Sequence, residues 1–203
     1  MKKARIFILL ILPLVTIVPS GCVKLWQKSL DISTYLLQVP RGEPVLVDAP
    51  LAAKLWVEPA HVLPPYNMRN LIYRKNDVEF RASYYTELLM SPADNFRNCF
   101  FTWFNESGIF GDVSVDDRTG MSHSLVVSVL EFYGDESDDT AVLNIKVTLL
   151  DEKNPAADLV FSRVYHQKEP VDDTSVEALM RAYNKALSRI LTDCESDVID
   201  ALR

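Results

Sequence analysis

Between residues 175 and 202 the apolar side chains Val176, Met180, Tyr183, Leu187, Ile190, Cys194, Val198 and Ala201 recur every three or four positions. That period places them on one stripe of a single long helix. An apolar stripe of that length must lie against a broad apolar surface. The segment before it supplies one. Ala141, Leu143, Ile145, Val147 and Leu149 alternate with Asn144, Lys146 and Thr148, and residues 124–133 are apolar on both faces, as in a central strand.

Further strands are predicted at 33–39, 54–58, 112–116 and 159–167. A pair at 71–75 and 77–89 turns at Lys75-Asn76-Asp77. Residues 40–50 and 59–70 are proline-rich and read as loops. Ser91, Pro92 and Asp94 open a shorter helix, with Phe96, Cys99, Phe100, Trp103 and Phe104 along one side and Gly108 as its stop. Thr174 and Glu177 read as the capping box of the long helix. Strands, helix, strands, helix is the order of an α+β fold: a single antiparallel-rich sheet with two helices packed on one face.

At the other end of the chain, Lys2, Lys3 and Arg5 precede an apolar run at 6–18, broken by Pro13 and followed by Ser20, Gly21 and Cys22. A bilayer-spanning helix needs about 20 apolar residues, and this run is shorter. A basic head, a short apolar core and small closing residues read as a cleaved secretory signal. The Gly21-Cys22 ending resembles the lipobox of bacterial lipoproteins, with Pro19 where an aliphatic residue is usual. The resemblance implies a diacylglycerol on the Cys22 thiol, cleavage after Gly21 and acylation of the freed amine. These covalent chains are the only cofactors expected, and three of them hold a protein at a bilayer effectively permanently. An ordinary secretory signal with an incidental Cys22 is the alternative. Val23, not Asp, follows the cysteine, which by the sorting rule of enteric bacteria implies the outer membrane. The expected organisation is a signal peptide at 1–21, a lipidated tether at 22–32 and one α+β domain at 33–203.

The chain has 21 basic and 28 acidic residues, and loss of Lys2, Lys3 and Arg5 with the signal leaves a balance of −10. A body of that sign repels nucleic acid and anionic head groups, so lipid alone is expected to hold it to a membrane. Beyond Cys22, Cys99 and Cys194 remain. Outside the inner membrane they are a candidate disulfide, since each lies on the apolar stripe of one helix. Two small buried apolar side chains are the other reading.

Signals for catalysis are weak. His61, His123 and His166 have no metal-ligand spacing with one another or with a cysteine. Gly120-Met121-Ser122-His123-Ser124 lacks the closing glycine of a nucleophile elbow and precedes a strand. Gly108 and Gly111 have the spacing of a phosphate-clamping loop but no basic residue between them. Asp135, Glu136, Asp138 and Asp139 read as a solvated hairpin tip, without the glycine of an EF-hand loop. No nucleophile, base and metal set is present, so an enzyme is not expected. The aromatics Trp56, Tyr66, Tyr73, Tyr84 and Tyr85 fall on or near the early strands. Two helices cover one sheet face, leaving the other to water or to a partner.

Tyr35-Leu36-Leu37, then Leu63-Pro64-Pro65-Tyr66, then Leu71-Ile72-Tyr73-Arg74, paired strands, Ser91-Pro92 opening a helix, and a terminal amphipathic helix follow the cysteine in that order. The chain thereby resembles the ABC-type transport auxiliary lipoproteins, the group that includes the paraquat-inducible protein C type. It departs from them at Tyr84-Tyr85-Thr86-Glu87-Leu88, where an Arg-Trp pair is frequent. The resemblance implies a non-catalytic lipoprotein on the periplasmic face of the outer membrane. Its partners would be an ABC transporter permease complex and a protein with mammalian-cell-entry domains, in lipid transport between membranes. It also implies self-association into a homo-oligomeric ring. Tyr66, Tyr73 and Arg74 are the candidate partner-binding residues. An envelope lipoprotein that scaffolds or activates cell-wall or outer-membrane assembly machinery is the competing function.

Overall fold

The computed structural model describes residues 31–42, 49–153 and 158–203. The expected signal at 1–21, Cys22 and the tether as far as residue 30 lie outside the described residues. The fold is that of the unit Asp31–Arg203. In chain order it runs β1 (Ser33–Tyr35), β2 (Ala52–Val57), β3 (His61–Val62), β4 (Asn70–Arg74), β5 (Phe80–Leu88), α1 (Pro92–Ser107), β6 (Phe110–Ser114), β7 (His123–Asp135), β8 (Thr140–Asp151), β9 (Asp158–Pro170) and α2 (Val176–Leu202). No helix among the described residues is long and apolar enough to cross a membrane.

β7 is the axis of a mixed nine-stranded sheet. On one side it pairs antiparallel with β8 along its whole length, and β8 pairs antiparallel with β9. On the other side β2, β3 and β4 meet it in succession, all parallel. β6 flanks β2, while β5 and then β1 flank β4. The long ladders are antiparallel. The parallel contacts of β7 follow from α1, which lies in sequence between β2–β4 and β7 and provides the crossover that parallel strands need.

Both helices cover the same sheet face. The Phe132 ring of β7 meets Phe96 of α1 edge-on, centroids 5.3 Å apart, and Tyr183 of α2 at 4.6 Å. Leu125, Val127 and Val129 of β7 and Leu143, Ile145, Val147 and Leu149 of β8 complete this layer, and none of them reaches water. Gly134 lets α2 come close: a Cβ there would stand 3.2 Å from Leu179 and Tyr73. A carboxylate also joins the helices, since Glu195 accepts from the Trp103 indole at 2.6 Å and pairs with Arg41 at 2.6 Å.

Local chemistry sets the element ends. The Ser91 hydroxyl accepts from the Asp94 amide at 3.1 Å, Pro92 opens α1, and Gly108 closes it in the left-handed region at φ 70°. At α2 the cap is Ser175, not the expected Thr174. The Asp173 carboxylate takes the Ser175 amide at 2.7 Å and fixes that residue as extended, while Glu177 accepts from the Tyr35 hydroxyl instead of closing a box.

The first strand is shorter than predicted. After Tyr35 the chain leaves β5 and is held by side-chain amides. Asn95 bonds both the N–H and the C=O of Leu37, at 3.0 and 2.9 Å, and Asn184 accepts from the Gln38 amide at 3.2 Å. These amides take the place of a neighbouring strand. β3 lies in a stretch predicted as loop, where two residues pair with β7.

Candidate docking site

Alternation along β4 sends Ile72 and Arg74 to the face without helices and Tyr73 to the other. On that bare face Ile72, Tyr133 of β7 and Val142 of β8 form a small second core with Tyr66 packed against it. Tyr66 stacks on Tyr133 with centroids 6.0 Å apart, and Phe80 of β5 meets the same ring edge-on at 5.5 Å. The Arg74 guanidinium lies over it, 5.1 Å from the ring centre.

Arg74 also pairs with Asp135, whose side chain is fully buried. Burial pushes the Asp135 carboxyl up. The Ser137 hydroxyl at 2.7 Å, the Ser137 amide at 3.1 Å and Arg74 outweigh that and hold it below the usual carboxylate range. Its hydrogen bond to Asp135 pushes the Arg74 pKa up. The Arg74 Nε is buried and has no hydrogen-bond partner among the described residues. Burial, with Glu131 nearby, raises the hydroxyls of Tyr66 and Tyr133. Asp135 therefore leaves the hairpin tip to which it was assigned with Glu136, Asp138 and Asp139. It is an internal anchor, and the other three are exposed.

Leu63 and Met68, in the chain on either side of Tyr66, and Phe80, Tyr84 and Tyr85 of β5 stand exposed. β1 pairs with residues 86–88 of β5, and the edge of β5 at residues 80–85 has no strand partner among the described residues. Aromatic rings around a held arginine, bordered by apolar side chains, have the composition of a protein-docking centre.

The structure thus brings Tyr66 and Arg74 together and sends Tyr73 elsewhere. Tyr73 is partly buried on the helix side, where Arg81 lies 5.6 Å from its ring centre. It lines a cavity of about 270 Å³ at the start of α2 with Glu136, Asp139, Thr140 and Leu179. Tyr133, Phe80 and Asp135 are the members that sequence reasoning missed. The alternation of β7 carried a signal for Tyr133, since Phe132 and Tyr133 must point to opposite faces.

The two cysteines are buried and unbridged in the structure, the arrangement of two small apolar side chains and not of the candidate disulfide. Cys99 faces the Leu37 carbonyl at 3.5 Å and Cys194 faces Tyr165 of β9, so the thiols point to different neighbours. Burial pushes Cys99 up to about 12 and raises Cys194 as well. The Ser122 hydroxyl donates to the Lys54 carbonyl at 2.7 Å and lies 3.0 Å from the His123 ring, whose pKa burial lowers. The same hydroxyl oxygen accepts from the Lys54 amide at 2.9 Å, so it bridges the Lys54 backbone and the His123 ring. Among the described residues no three His, Cys, Asp or Glu side chains cluster to hold a metal ion.

A family model described as the ABC-type transport auxiliary lipoprotein component matches residues 35–194. The crystal structure of protein XCC0632 from Xanthomonas campestris, of family DUF330, is similar to this fold at a TM-score of 0.72 and 17% identity, covering 83% of this chain and 96% of that one. The crystal structure of an uncharacterized protein is similar at 0.68 and 15%, covering 82% and 98%. At these identities the likeness concerns the fold. No curated protein matches the sequence.

Proposed function

The chain belongs to the ABC-type transport auxiliary lipoprotein component family, and from that premise we propose that it is a non-catalytic docking component of a transporter that moves lipid between two membranes. In this reading Cys22 carries the acyl chains and holds the domain on the periplasmic face of the outer membrane. The patch around Tyr66, Arg74 and Tyr133 then grips a protein with mammalian-cell-entry domains that extends from the inner-membrane permease complex. Self-association into a ring belongs to the same reading. The observation that carries it is the patch itself: rings and an arginine held by a buried carboxylate, beside an open strand edge, with no reactive group among them. Such a surface offers shape and apolar area to a partner rather than bond-making chemistry.

The test is a photo-crosslinkable phenylalanine in place of Tyr84, in cells that carry the lipidated protein. Capture of a mammalian-cell-entry protein is expected. Capture of a wall synthase or an outer-membrane assembly factor, with no mammalian-cell-entry protein, overturns the reading in favour of a scaffold of envelope assembly. Cys22→Ala is expected to move the protein from the membrane to the soluble periplasmic fraction.

A further inference from the structure

The opposite end of the sheet carries a second feature, independent of that patch. Among the described residues β9 pairs with β8 alone, and its outer edge carries no further strand at residues 161–167. Free edges in soluble proteins are usually blunted by brevity, a bulge, proline, lysine or a covering segment. β9 has its bulge near Leu159 and Phe161, and Lys168 and Pro170 lie at the far end. Residues 161–167 between them have none of these devices, and the side chain of Arg163 is drawn off to Asp197 on α2.

α2 runs beside this edge in the opposite direction. Glu169 meets Lys185 and Arg189, Tyr165 donates to Asp197 at 2.6 Å, and Phe161 shares a cavity with Asp200. Strand edge and helix are thus the two walls of one groove. It is continuous through two cavities of about 390 and 330 Å³ that share Arg163 and Asp197. The helix wall is a row of carboxylates, Asp193, Asp197 and Asp200, spaced by four and three residues and so on one side of α2. Asp197 is neutralised by Arg163. Asp193 and Asp200 are exposed and have no ion pair among the described residues.

We propose that this groove takes an extended basic segment of a partner polypeptide as a tenth strand, paired with β9 and facing the carboxylates of α2. The backbone edge supplies the hydrogen bonds of strand addition. The carboxylate row selects the occupant by charge: Asp193 and Asp200, without an ion pair among the described residues, are about 10 Å apart along the helix, and lysines at alternate strand positions, about 6.7 Å apart on long flexible stems, reach both. A segment with acidic residues there is repelled.

The probe is a synthetic acetylated heptapeptide, Thr-Lys-Val-Lys-Val-Lys-Thr amide, added to the full-length protein in detergent micelles. Controls have glutamate for lysine, or proline for one central valine. The lysine peptide is expected to bind and to slow amide exchange at residues 161–167, and neither control to do so. The Asp193→Asn, Asp200→Asn double variant, altered only at exposed side chains, should bind about fivefold more weakly and with less dependence on salt. Equal binding by the proline peptide, or binding without protection of residues 161–167, reduces the effect to charge attraction and overturns strand addition. Protection of those amides before peptide is added, in a protein that sediments as an oligomer, assigns the edge to a second copy of the chain and overturns it equally. Failure here leaves the result at Tyr84 untouched.

Discussion

On the helix-covered face of β7, Leu125, Val127, Val129 and Phe132 are shut in by side chains of α1 and α2. On the other face of the same strand, Tyr133 and Asp135 are shut in by a loop tyrosine, a phenylalanine from β5 and an arginine from β4. The first closure is hydrocarbon on hydrocarbon and has no directional requirement. The second depends on ring geometry and on one ion pair, and it stops within a few residues, leaving Tyr84, Tyr85 and Leu63 in water. A sheet covered by helices on one side solves burial there with pattern alone. Its other side must be closed piece by piece, and the pieces left open are where partners can bind.

The contrast is broken most directly at Phe132. Phe132→Ala removes the ring that touches both helices and leaves a cavity in the covered layer. A loss of about 4 kcal/mol is expected in urea unfolding, with the slope unchanged. A loss below about 1 kcal/mol would mean that the two helices do not depend on this layer.

On the bare face the largest effect is expected at Arg74. Arg74→Met removes the guanidinium and leaves the Asp135 carboxylate buried with Ser137 alone, at a cost of about 3 kcal/mol. Adding Asp135→Asn should recover part of it, because the uncompensated charge is gone. The two faces then differ in pH response. Asp135 is held below its usual range, so its contribution is fully present above the unfolded value of about 3.9 and is lost as pH falls from there through the folded value. Arg74→Met should flatten that acid limb, and Phe132→Ala should shift the whole curve without changing its shape. The same acid limb in Arg74→Met as in the parent would remove the ion pair from the account.

These two closures were unequally legible in the sequence. Hydrocarbon burial leaves a period, and the period predicted α1 almost to the residue, the alternation of β8 and the stripe of α2. What depends on particular side chains finding one another across the chain leaves no period. Leu37 was expected in a strand, yet its backbone bonds to an asparagine 58 residues away. Asp135 reads as one of four acidic residues in a turn until Arg74 arrives from 61 residues upstream. Two-residue β3 is too short to carry a pattern. Of the candidate site, Tyr66, Tyr73 and Arg74 were all named from the motifs of the resemblance, and the structure keeps Tyr66 and Arg74 together. Strand alternation sends Tyr73 through the sheet.

A smaller effect sharpens the covered face. Both thiols are sealed in it, and Cys99 is pushed up to about 12 by burial. Neither Cys99 nor Cys194 should react with a thiol reagent at pH 8 in the native domain, and both should react in urea. Reductant should leave the melting temperature unchanged. A disulfide-linked 99–194 peptide in a non-reducing digest would restore the bridge and require the two helices to turn their stripes toward each other.

The least effect on stability belongs to the open part of the bare face, and it separates folding from docking. Tyr84 is 70% exposed and Leu63 47% exposed, so each already keeps about half of its surface or more in water. Tyr84→Ser and Leu63→Ser should each change stability by less than about 0.5 kcal/mol. If these side chains are contact points for a partner, the same substitutions remove apolar anchors from the centre of an interface. Loss of one such anchor weakens binding by about thirtyfold. Capture of the partner should therefore collapse in variants whose unfolding curves overlay the parent's. Neither substitution removes a ring or charge that holds the second core closed, so a coupled loss of stability and capture would mean that the patch is structural. Unchanged capture by both variants would move the docking surface away from β4 and β5 altogether.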